Sequence, residues 1–242
     1  IDLEENKIFV ARDTYGVRPL FVGTVPNLVD DISSYFFASE LKSLSNLPNI
    51  HNGNIHQFEP GCYSVFNLDH KKRAHYLDSR EFSSPNSFFN SLPNNDENVI
   101  FKNIYSHIEN AVKKRVDNTD REVACLLSGG LDSSIVCALV KRFHNGPLHT
   151  WSIGFEGSED LKYAKIVADH IGSIHHNICV NEKEFLEAIP EVIYAIESYD
   201  TTTVRASVGN WLISKYIKEN SDAKVIFNGD GADEAMGGYM YF

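Results

Sequence analysis

The chain has 242 residues, with 33 acidic and 22 basic side chains and a formal net charge of −11 at neutral pH. Proteins that bind nucleic acid need a basic face, so this charge predicts no nucleic-acid partner. No apolar run is long enough to span a bilayer, which predicts no membrane partner. The length allows one or two domains with a sizeable core.

Short strand-like segments bounded by Gly, Pro and Asn fill residues 1–78. This pattern predicts an antiparallel sheet domain, with strands at Lys7–Arg12, Leu20–Gly23, Phe36–Ser39 and Tyr63–Asn67. Residues 79–98 are rich in Ser, Asn and Pro, which predicts a linker. A helix is expected next, at Asn98–Val116, because one helical face carries a run of apolar residues, namely Ile100, Ile104, Ile108, Ala111 and Val112.

A Ser- and Gly-rich turn, Ser128-Gly129-Gly130-Leu131-Asp132-Ser133-Ser134, joins two apolar runs. The run before it, Val123–Leu127, is predicted to be a buried strand. The run after it is predicted to be a helix with Ile135, Leu139 and Phe143 on one face. In such a turn the glycines let the backbone approach a ligand, and the N–H groups of the first helical turn point at it. The turn is therefore predicted to bind phosphate.

Asp132 distinguishes this turn from a Walker A loop, which would carry a Lys after the glycines. A carboxylate repels phosphate unless a cation lies between them, so Asp132 predicts bound Mg²⁺. The pattern resembles the pyrophosphate-binding loop of the ATP pyrophosphatases, which cleave ATP between the α and β phosphates. The alternative is a helix-capping turn that binds nothing.

A second loop of interest follows the strand-like segment Lys224–Phe227. It runs from Asn228 to Glu234 and holds three carboxylates, Asp230, Asp233 and Glu234. These acids repel one another unless they share a cation or a cationic substrate. In a parallel sheet, ligands bind beyond the carboxyl ends of the strands, where this loop would lie. The alternatives are a solvated acidic loop or a Ca²⁺ loop, although the spacing of an EF-hand is absent.

Strand and helix patterns alternate between the two loops. Counted from Val123, they predict the order βαβαβααβ and a parallel sheet covered by helices on both faces. The segments after the first loop are Leu148–Phe155, Leu161–Ile171, His175–Val180, Glu184–Glu197, Arg205–Lys218 and Lys224–Phe227.

The cysteines and one histidine pair are interpreted as structural. Cys125, Cys137 and Cys179 lie in apolar patterns and are predicted to be buried free thiols, typical of a reducing, cytoplasmic setting. His175 and His176 are adjacent on a predicted strand, so they face opposite sides and are not expected to share a metal ion.

Five motifs, in the same order along the chain, are similar to those of the glutamine-hydrolysing asparagine synthetases. They are Ala11–Leu20, Phe37–Lys42, Ser128–Ser134, Thr202–Ser207, and Gly229–Glu234 with Gly237–Tyr239. The resemblance covers nearly the whole chain. It implies an α/β fold in which a parallel-sheet ATP pyrophosphatase-type domain (adenine nucleotide alpha hydrolase-like) at 99–242 follows part of an antiparallel N-terminal-nucleophile glutaminase domain at 1–78.

The resemblance also implies an ATP-dependent amide ligase. Its substrates would be ATP, aspartate, and glutamine or ammonia, and it would form β-aspartyl-AMP and release pyrophosphate and then AMP. ATP would contact the phosphate loop, namely Ser128, Gly129, Gly130, Leu131, Asp132, Ser133 and Ser134. The family implies four further contacts with ATP, at Leu127, Ile153, Asn228 and Gly229. Asp132 and Asp233 would hold Mg²⁺.

Roles in catalysis and substrate binding are likewise implied by the resemblance. Asp230 and Arg205 take the catalytic positions, and Asp230 stands where the family often has Glu. Aspartate and pyrophosphate contacts fall on Thr202, Thr203, Arg205 and Glu234. Arg205 can grip a carboxylate or phosphate through two parallel hydrogen bonds.

The family's glutaminase nucleophile and a later catalytic lysine have no counterpart in the chain, so we expect it to be a piece of a longer protein. Two other functions stay open: a β-lactam synthetase-like enzyme with another carboxylate substrate, or a non-catalytic paralogue that acts as a binding module. The resemblance also leaves open a homodimer of the intact protein.

Overall fold

The computed structural model describes residues 1–26, 33–48, 50, 54–71, 73–84 and 96–240. The chain divides into two compact units, Ile1–Asn95 and Asp96–Phe242, which are taken separately below. Among the helices of the described residues, none combines the length and the apolar character that crossing a membrane requires.

The first unit contains two three-stranded antiparallel sheets, with strand orders β1-β5-β6 and β3-β2-β4. Its elements are β1 (Lys7–Ala11), β2 (Phe21–Val25), β3 (Ser34–Ala38), α1 (Leu41–Ser45), β4 (Ile55–Gln57), β5 (Cys62–Leu68) and β6 (Ala74–Glu81). The sequence predicted four of these strands, and β4 and β6 were not predicted. β6 is an edge strand, so its polar residues can face solvent while its backbone pairs with β5.

The predicted linker at 79–98 overlaps a strand at its first residues and a helix at its last residues. Residues 79–81 belong to β6, where Cys62 pairs with Glu81. The following helix already begins at Glu97, because Asp96 caps it by accepting a hydrogen bond from the Asn98 N–H. Residues 85–95, the middle of the predicted linker, lie outside the described part of the chain.

A buried arginine organises the turn after β1. Arg12 is 8% exposed, and its guanidinium donates hydrogen bonds to the carbonyls of Phe58, Gly16 and Arg18 at 2.7, 2.9 and 3.1 Å. The Asp13 carboxylate accepts from the Val17 N–H, and this bond contributes most to lowering the pKa of Asp13. This part of the first family-like motif is therefore a structural turn.

The second unit is built on a four-stranded sheet in the order β10-β7-β8-β9, and all of its strand pairs are parallel. Its elements are α2 (Glu97–Asp117), β7 (Val123–Leu126), α3 (Leu131–Phe143), β8 (His149–Gly154), α4 (Glu159–Ile171), β9 (Ile174–Cys179), α5 (Glu182–Ile196), α6 (Thr201–Asn220), β10 (Val225–Phe227) and α7 (Ala232–Met236). The predicted α/β class, the parallel sheet and the βαβαβααβ order are confirmed.

Helices cover both faces of this sheet because β7, one of its two inner strands, is apolar on both faces. Val123 and Cys125 of β7 pack in one buried cluster with residues of α2, α3 and α4. Ala124, between them, packs in a second cluster with Ile213 of α6 and Trp151 of β8. A strand buried on both faces is typical of a parallel sheet.

Two predicted helical faces need correction. α3 begins at Leu131, four residues before the predicted apolar run. Leu139 of the predicted face is buried together with Cys137 and Val140, and Phe143 packs against this cluster, whereas Ile135 is 40% exposed. On α2 only the C-terminal half packs into the core, through Val112 and Val116. Ile100 and Ile104 belong to the same apolar face, but they lie in the N-terminal half of α2. That half does not pack into the core of this unit, so both side chains are exposed.

The prediction for Cys179 was wrong, whereas Cys125 and Cys137 are buried free thiols as predicted. Cys179 is exposed because it ends β9, the edge strand of the described sheet. A hydrogen bond with Cys137, together with burial, raises the pKa of Cys125 far above its ordinary value. The buried Cys125 thiol therefore does not have the character of a nucleophile.

The two adjacent histidines face opposite sides of β9, as predicted. The His175 ring hydrogen-bonds Thr150 at 2.9 Å. The His176 ring stacks on Trp151 with 4.0 Å between centroids and hydrogen-bonds His149 at 2.9 Å. Burial is the main cause that lowers the pKa of both rings. They cannot share a metal ion.

Candidate nucleotide-binding site

The predicted phosphate-binding turn, Ser128–Ser134, is called the phosphate-type loop below. It lies at the carboxyl end of β7 and leads into the first turn of α3. Serine hydroxyls close it, since Ser128 Oγ and Ser133 Oγ are 2.9 Å apart and Ser134 Oγ donates to the Gly130 carbonyl at 2.6 Å. α3 starts without a side-chain cap. The first N–H groups of an uncapped helix have no helical partner and are available to an anion.

Gly129 has a backbone that other residues rarely adopt, with φ of +86°. A Cβ added there would fall 2.6 Å from the backbone nitrogen of Ala164 and 2.6 Å from Cβ of Tyr163, both in α4. The loop therefore packs directly on α4, and only glycine satisfies both the dihedral angle and the space.

The loop with three carboxylates, Asn228–Glu234, is called the acidic loop below. It follows β10, which is the neighbour of β7 in the sheet. A Cβ added at Gly229 would lie 2.7 Å from the Ser133 nitrogen and 3.0 Å from Cβ of Asp132. The acidic loop and the start of α3 are thus in direct backbone contact. The sequence placed both loops at one sheet edge, and the structure shows that they touch.

Internal hydrogen bonds orient two groups of the acidic loop. Asn228 Nδ2 donates to the Asp230 carboxylate at 2.8 Å. The Tyr239 hydroxyl donates to Glu234 Oε1 at 2.6 Å, and this bond contributes most to lowering the pKa of Glu234. Both carboxylates are therefore held in position while they remain exposed to a ligand.

A cavity of about 410 Å³ lies between the two loops and α6. Among the predicted site residues, those that line it are Ser128, Asp132, Ser133, Asn228, Gly229, Asp230, Asp233 and Glu234. Every carboxylate predicted for the site is in this set. Such a concave, polar site beyond the carboxyl ends of parallel strands is the position at which open α/β sheets bind ligands.

Several predicted residues do not line the cavity. The Leu127 side chain is fully buried in the core, so only its main chain is available to a nucleotide. Ile153, at the end of β8, lies 3.9 Å from the position of a Cβ on Gly209 of α6. Gly129, Gly130, Leu131 and Ser134 shape the loop without lining the cavity, and the Leu131 side chain is 74% exposed.

The predicted substrate residues lie at the start of α6. Thr203 is committed in part to the helix cap, because its N–H and its hydroxyl both donate to Asp200 at 2.8 Å. Thr202 and Arg205 are exposed, and within the described ranges their side chains have no hydrogen bond or ion pair. These two side chains are free to bind a ligand.

The sequence did not predict the contribution of Ala206, Asn210 and Tyr239 to the cavity lining. Tyr239 belongs to a motif that was noted but was given no role. Ala206 and Asn210 follow Thr202 at steps of four residues, which places all three on one helical face. That spacing is the signal that could have identified them.

The donor set fits Mg²⁺ held jointly with a nucleotide. Asp132 and Asp233 line the same cavity, but among the residues that the structure describes no three His, Cys, Asp or Glu side chains form a metal cluster. Mg²⁺ in nucleotide sites typically binds one or two carboxylates and completes its shell with phosphate oxygens and water. Asp132 and Asp233 could hold it in that way.

A profile of the asparagine synthase family matches residues 103–242, which is more than half of the chain and includes both loops. The chain belongs to the asparagine synthase family. The family predicted from the sequence motifs is thereby confirmed.

Relatives in this family align along the whole chain. Glutamine-hydrolysing asparagine synthetases from Bos taurus and Homo sapiens are each 41% identical over 258 aligned positions, and the Gallus gallus protein is 40% identical. The alignment covers 100% of this chain and 45% of each relative. The chain therefore spans about half the length of these asparagine synthetases.

Solved structures with a partial likeness include two other synthetases. The NH3-dependent NAD synthetase from Campylobacter jejuni is 21% identical with a TM-score of 0.40, covering 57% of this chain and 60% of that protein. The NMN synthetase from Francisella tularensis is 17% identical with a TM-score of 0.40, covering 58% of each chain.

Proposed function

We propose that the protein is an ATP-dependent amide ligase that makes asparagine from aspartate and from ammonia, either free or released from glutamine. An oxygen of the aspartate β-carboxylate attacks the α-phosphorus, and the bond to pyrophosphate breaks. Ammonia then attacks the carbonyl carbon of β-aspartyl-AMP, loses a proton to solvent and displaces AMP.

The observation that carries this proposal is the backbone contact between Gly229 and the Asp132–Ser133 segment. It joins a phosphate-type loop and an acidic loop in one cavity. The membership of the asparagine synthase family supports the same reaction.

The chain's own residues account for the binding of pyrophosphate. The first N–H groups of α3 would donate hydrogen bonds to pyrophosphate, where negative charge grows as it leaves. The hydroxyls of Ser128 and Ser133 would exchange the hydrogen bond between them for hydrogen bonds to the same group. No lysine is present in the loop to reach a terminal phosphate. Asp132 and Asp233 would hold Mg²⁺, which neutralises phosphate charge when bound.

The remaining acids and Arg205 act on the other substrate. Asp230, oriented by Asn228, faces the cavity where the acyl-adenylate forms, and Glu234 supplies a second carboxylate for the amino group of aspartate. The Arg205 guanidinium, free of protein partners among the described residues, binds the carboxylate of aspartate or the departing pyrophosphate. Thr202 has a free hydroxyl for the same ligand, while Thr203 mainly caps α6.

Product analysis tests the proposal. The protein is expressed from its full reading frame and incubated with ATP, Mg²⁺, aspartate and ammonium, and phosphorus NMR identifies the products. We expect AMP and pyrophosphate in equal amounts, formed only when aspartate is present. ADP with inorganic phosphate would contradict the proposal, and AMP formation that requires a different carboxylate would favour a β-lactam synthetase-like enzyme.

A further inference from the structure

The Gly237–Tyr239 motif has no role in the reaction so far, although it returns the chain to the acidic loop. α7 ends at Gly237, whose φ is +65°, and the N–H groups of Gly237 and Gly238 both donate to the Asp233 carbonyl. A Cβ added at Gly238 would fall 2.0 Å from Oδ1 of Asp233. The chain therefore reverses direction beside the Asp233 carboxylate, in a turn that leaves no room for a side chain.

This reversal brings the Tyr239 hydroxyl onto Glu234. The hydroxyl donates to Glu234 Oε1 at 2.6 Å, and both residues line the cavity between the two loops and α6. The bond uses one position of one carboxylate oxygen, and an ionised carboxylate has further acceptor positions. Glu234 can therefore keep its bond to Tyr239 while it binds a ligand in the cavity.

The bond to Tyr239 removes motion that a ligand would otherwise have to remove. Glu234 is exposed, and fixing an exposed glutamate in one rotamer costs conformational entropy. Tyr239 is half-buried, and a tyrosine ring has only two rotatable bonds, so it loses little freedom when it holds the carboxylate. A group that is ordered before binding gives a tighter complex, because this cost does not fall on the binding step.

We propose that Tyr239 is a positioning residue for the aspartate substrate, an inference that rests on the proposed function. Tyr239 acts on Glu234, and it holds the Glu234 carboxylate in the orientation that receives the ammonium group of aspartate. ATP is bound through a different set of residues, the phosphate-type loop and the start of α3. The loss of the Tyr239 hydroxyl should therefore weaken the binding of aspartate and leave the binding of ATP unchanged.

Steady-state kinetics test this role. The wild type, Tyr239→Phe and Tyr105→Phe, each expressed from the full reading frame, are assayed for pyrophosphate release while aspartate and ATP are varied in turn. Tyr239→Phe keeps the ring and loses only the hydroxyl. We expect its KM for aspartate to rise about 10-fold, as for one hydrogen bond to a charged group, with the KM for ATP and kcat as in the wild type.

Tyr105→Phe is the matched control. It removes a bond of the same kind, from the Tyr105 hydroxyl to Glu109 Oε1 at 3.1 Å, on an exposed part of α2. All three kinetic constants should stay at their wild-type values in this variant.

A second pair of variants shows whether Tyr239 acts through Glu234. Glu234→Ala should lower kcat/KM for aspartate, and the addition of Tyr239→Phe to Glu234→Ala should lower it no further. An equal further loss in the double variant would overturn the inference, because Tyr239 would then act without Glu234.

Other results also decide the matter. In Tyr239→Phe, an unchanged KM for aspartate, an equal rise in both KM values, or a loss of activity that high aspartate does not restore would each overturn the inference. In all three cases the wild-type reaction leaves the proposed function standing. Absence of pyrophosphate release by the wild type would overturn the proposed function and the inference with it.

Discussion

The contact between the two loops makes Gly229 a sensitive position. In the Gly229→Ala variant the new methyl carbon would start 2.7 Å from the Ser133 nitrogen and 2.9 Å from the Asp132 carbonyl carbon. These neighbours are backbone atoms at the start of α3, so they cannot rotate away as a side chain would. The two loops must separate.

The size of the effect follows from these distances. An ordinary contact begins at 3.4 Å, so the loops must move apart by about 0.7 Å. Overpacking of this kind typically costs about 1–3 kcal/mol of the free energy of unfolding. A displacement of about 1 Å in a catalytic arrangement can cost about 10²-fold in rate, so we expect pyrophosphate release to fall by about 10- to 100-fold.

The assay compares pyrophosphate release and the midpoint of thermal unfolding for Gly229→Ala and the wild type. Gly209→Ala is the matched control for stability, because its Cβ would meet only Ile153 at 3.9 Å and alanine favours a helix by about 1 kcal/mol over glycine. Wild-type activity together with a wild-type unfolding midpoint in Gly229→Ala would refute the contact between the loops.

Three further predictions concern the metal site, the histidines and the buried arginine. Asp132→Asn should lower pyrophosphate release by about 10²–10³-fold with an unchanged circular dichroism spectrum, and full activity with normal Mg²⁺ dependence would exclude its role. Because burial lowers the pKa of His175 and His176, the unfolded chain binds protons more readily, so the free energy of unfolding should fall between about pH 7.5 and pH 5.5. Urea unfolding at a series of pH values measures this, and His176→Gln should weaken the pH dependence of the free energy of unfolding. An unchanged pH dependence in that variant would argue against the role of His176. Arg12→Met leaves three main-chain carbonyls without their donor and should lower the free energy of unfolding by about 2–4 kcal/mol, as measured by thermal unfolding. The exposed Arg18→Met should change the same free energy by no more than about 0.5 kcal/mol.

The order of elements in the second unit could be predicted because the signals are local. Val123–Leu127 is an unbroken apolar run, and the glycines and serines that follow it end the strand and begin a helix. The acids Asp132 and Asp233 could be assigned to one site because parallel strands place their carboxyl ends at one edge.

Other features depend on contacts between distant segments and could not be predicted. Ile135 has the spacing of a core residue, as Leu139 does, but only Leu139 joins Cys137 and Val140 in the core. Cys179 lies in an apolar pattern, yet it ends an edge strand. The approach of Gly209 of α6 to Ile153 of β8 is another contact between distant segments that no local pattern shows.

The path of one oxygen atom distinguishes an acyl-adenylate from other ways of activating aspartate. Aspartate labelled with heavy oxygen in its β-carboxylate is supplied with ATP, Mg²⁺ and ammonium to the protein expressed from its full reading frame, and mass spectrometry follows the label. The proposed reaction forms a bond between a carboxylate oxygen and the α-phosphorus and later breaks the carbon–oxygen bond, so each AMP should carry one labelled oxygen. Label in inorganic phosphate, or AMP without label, would contradict it.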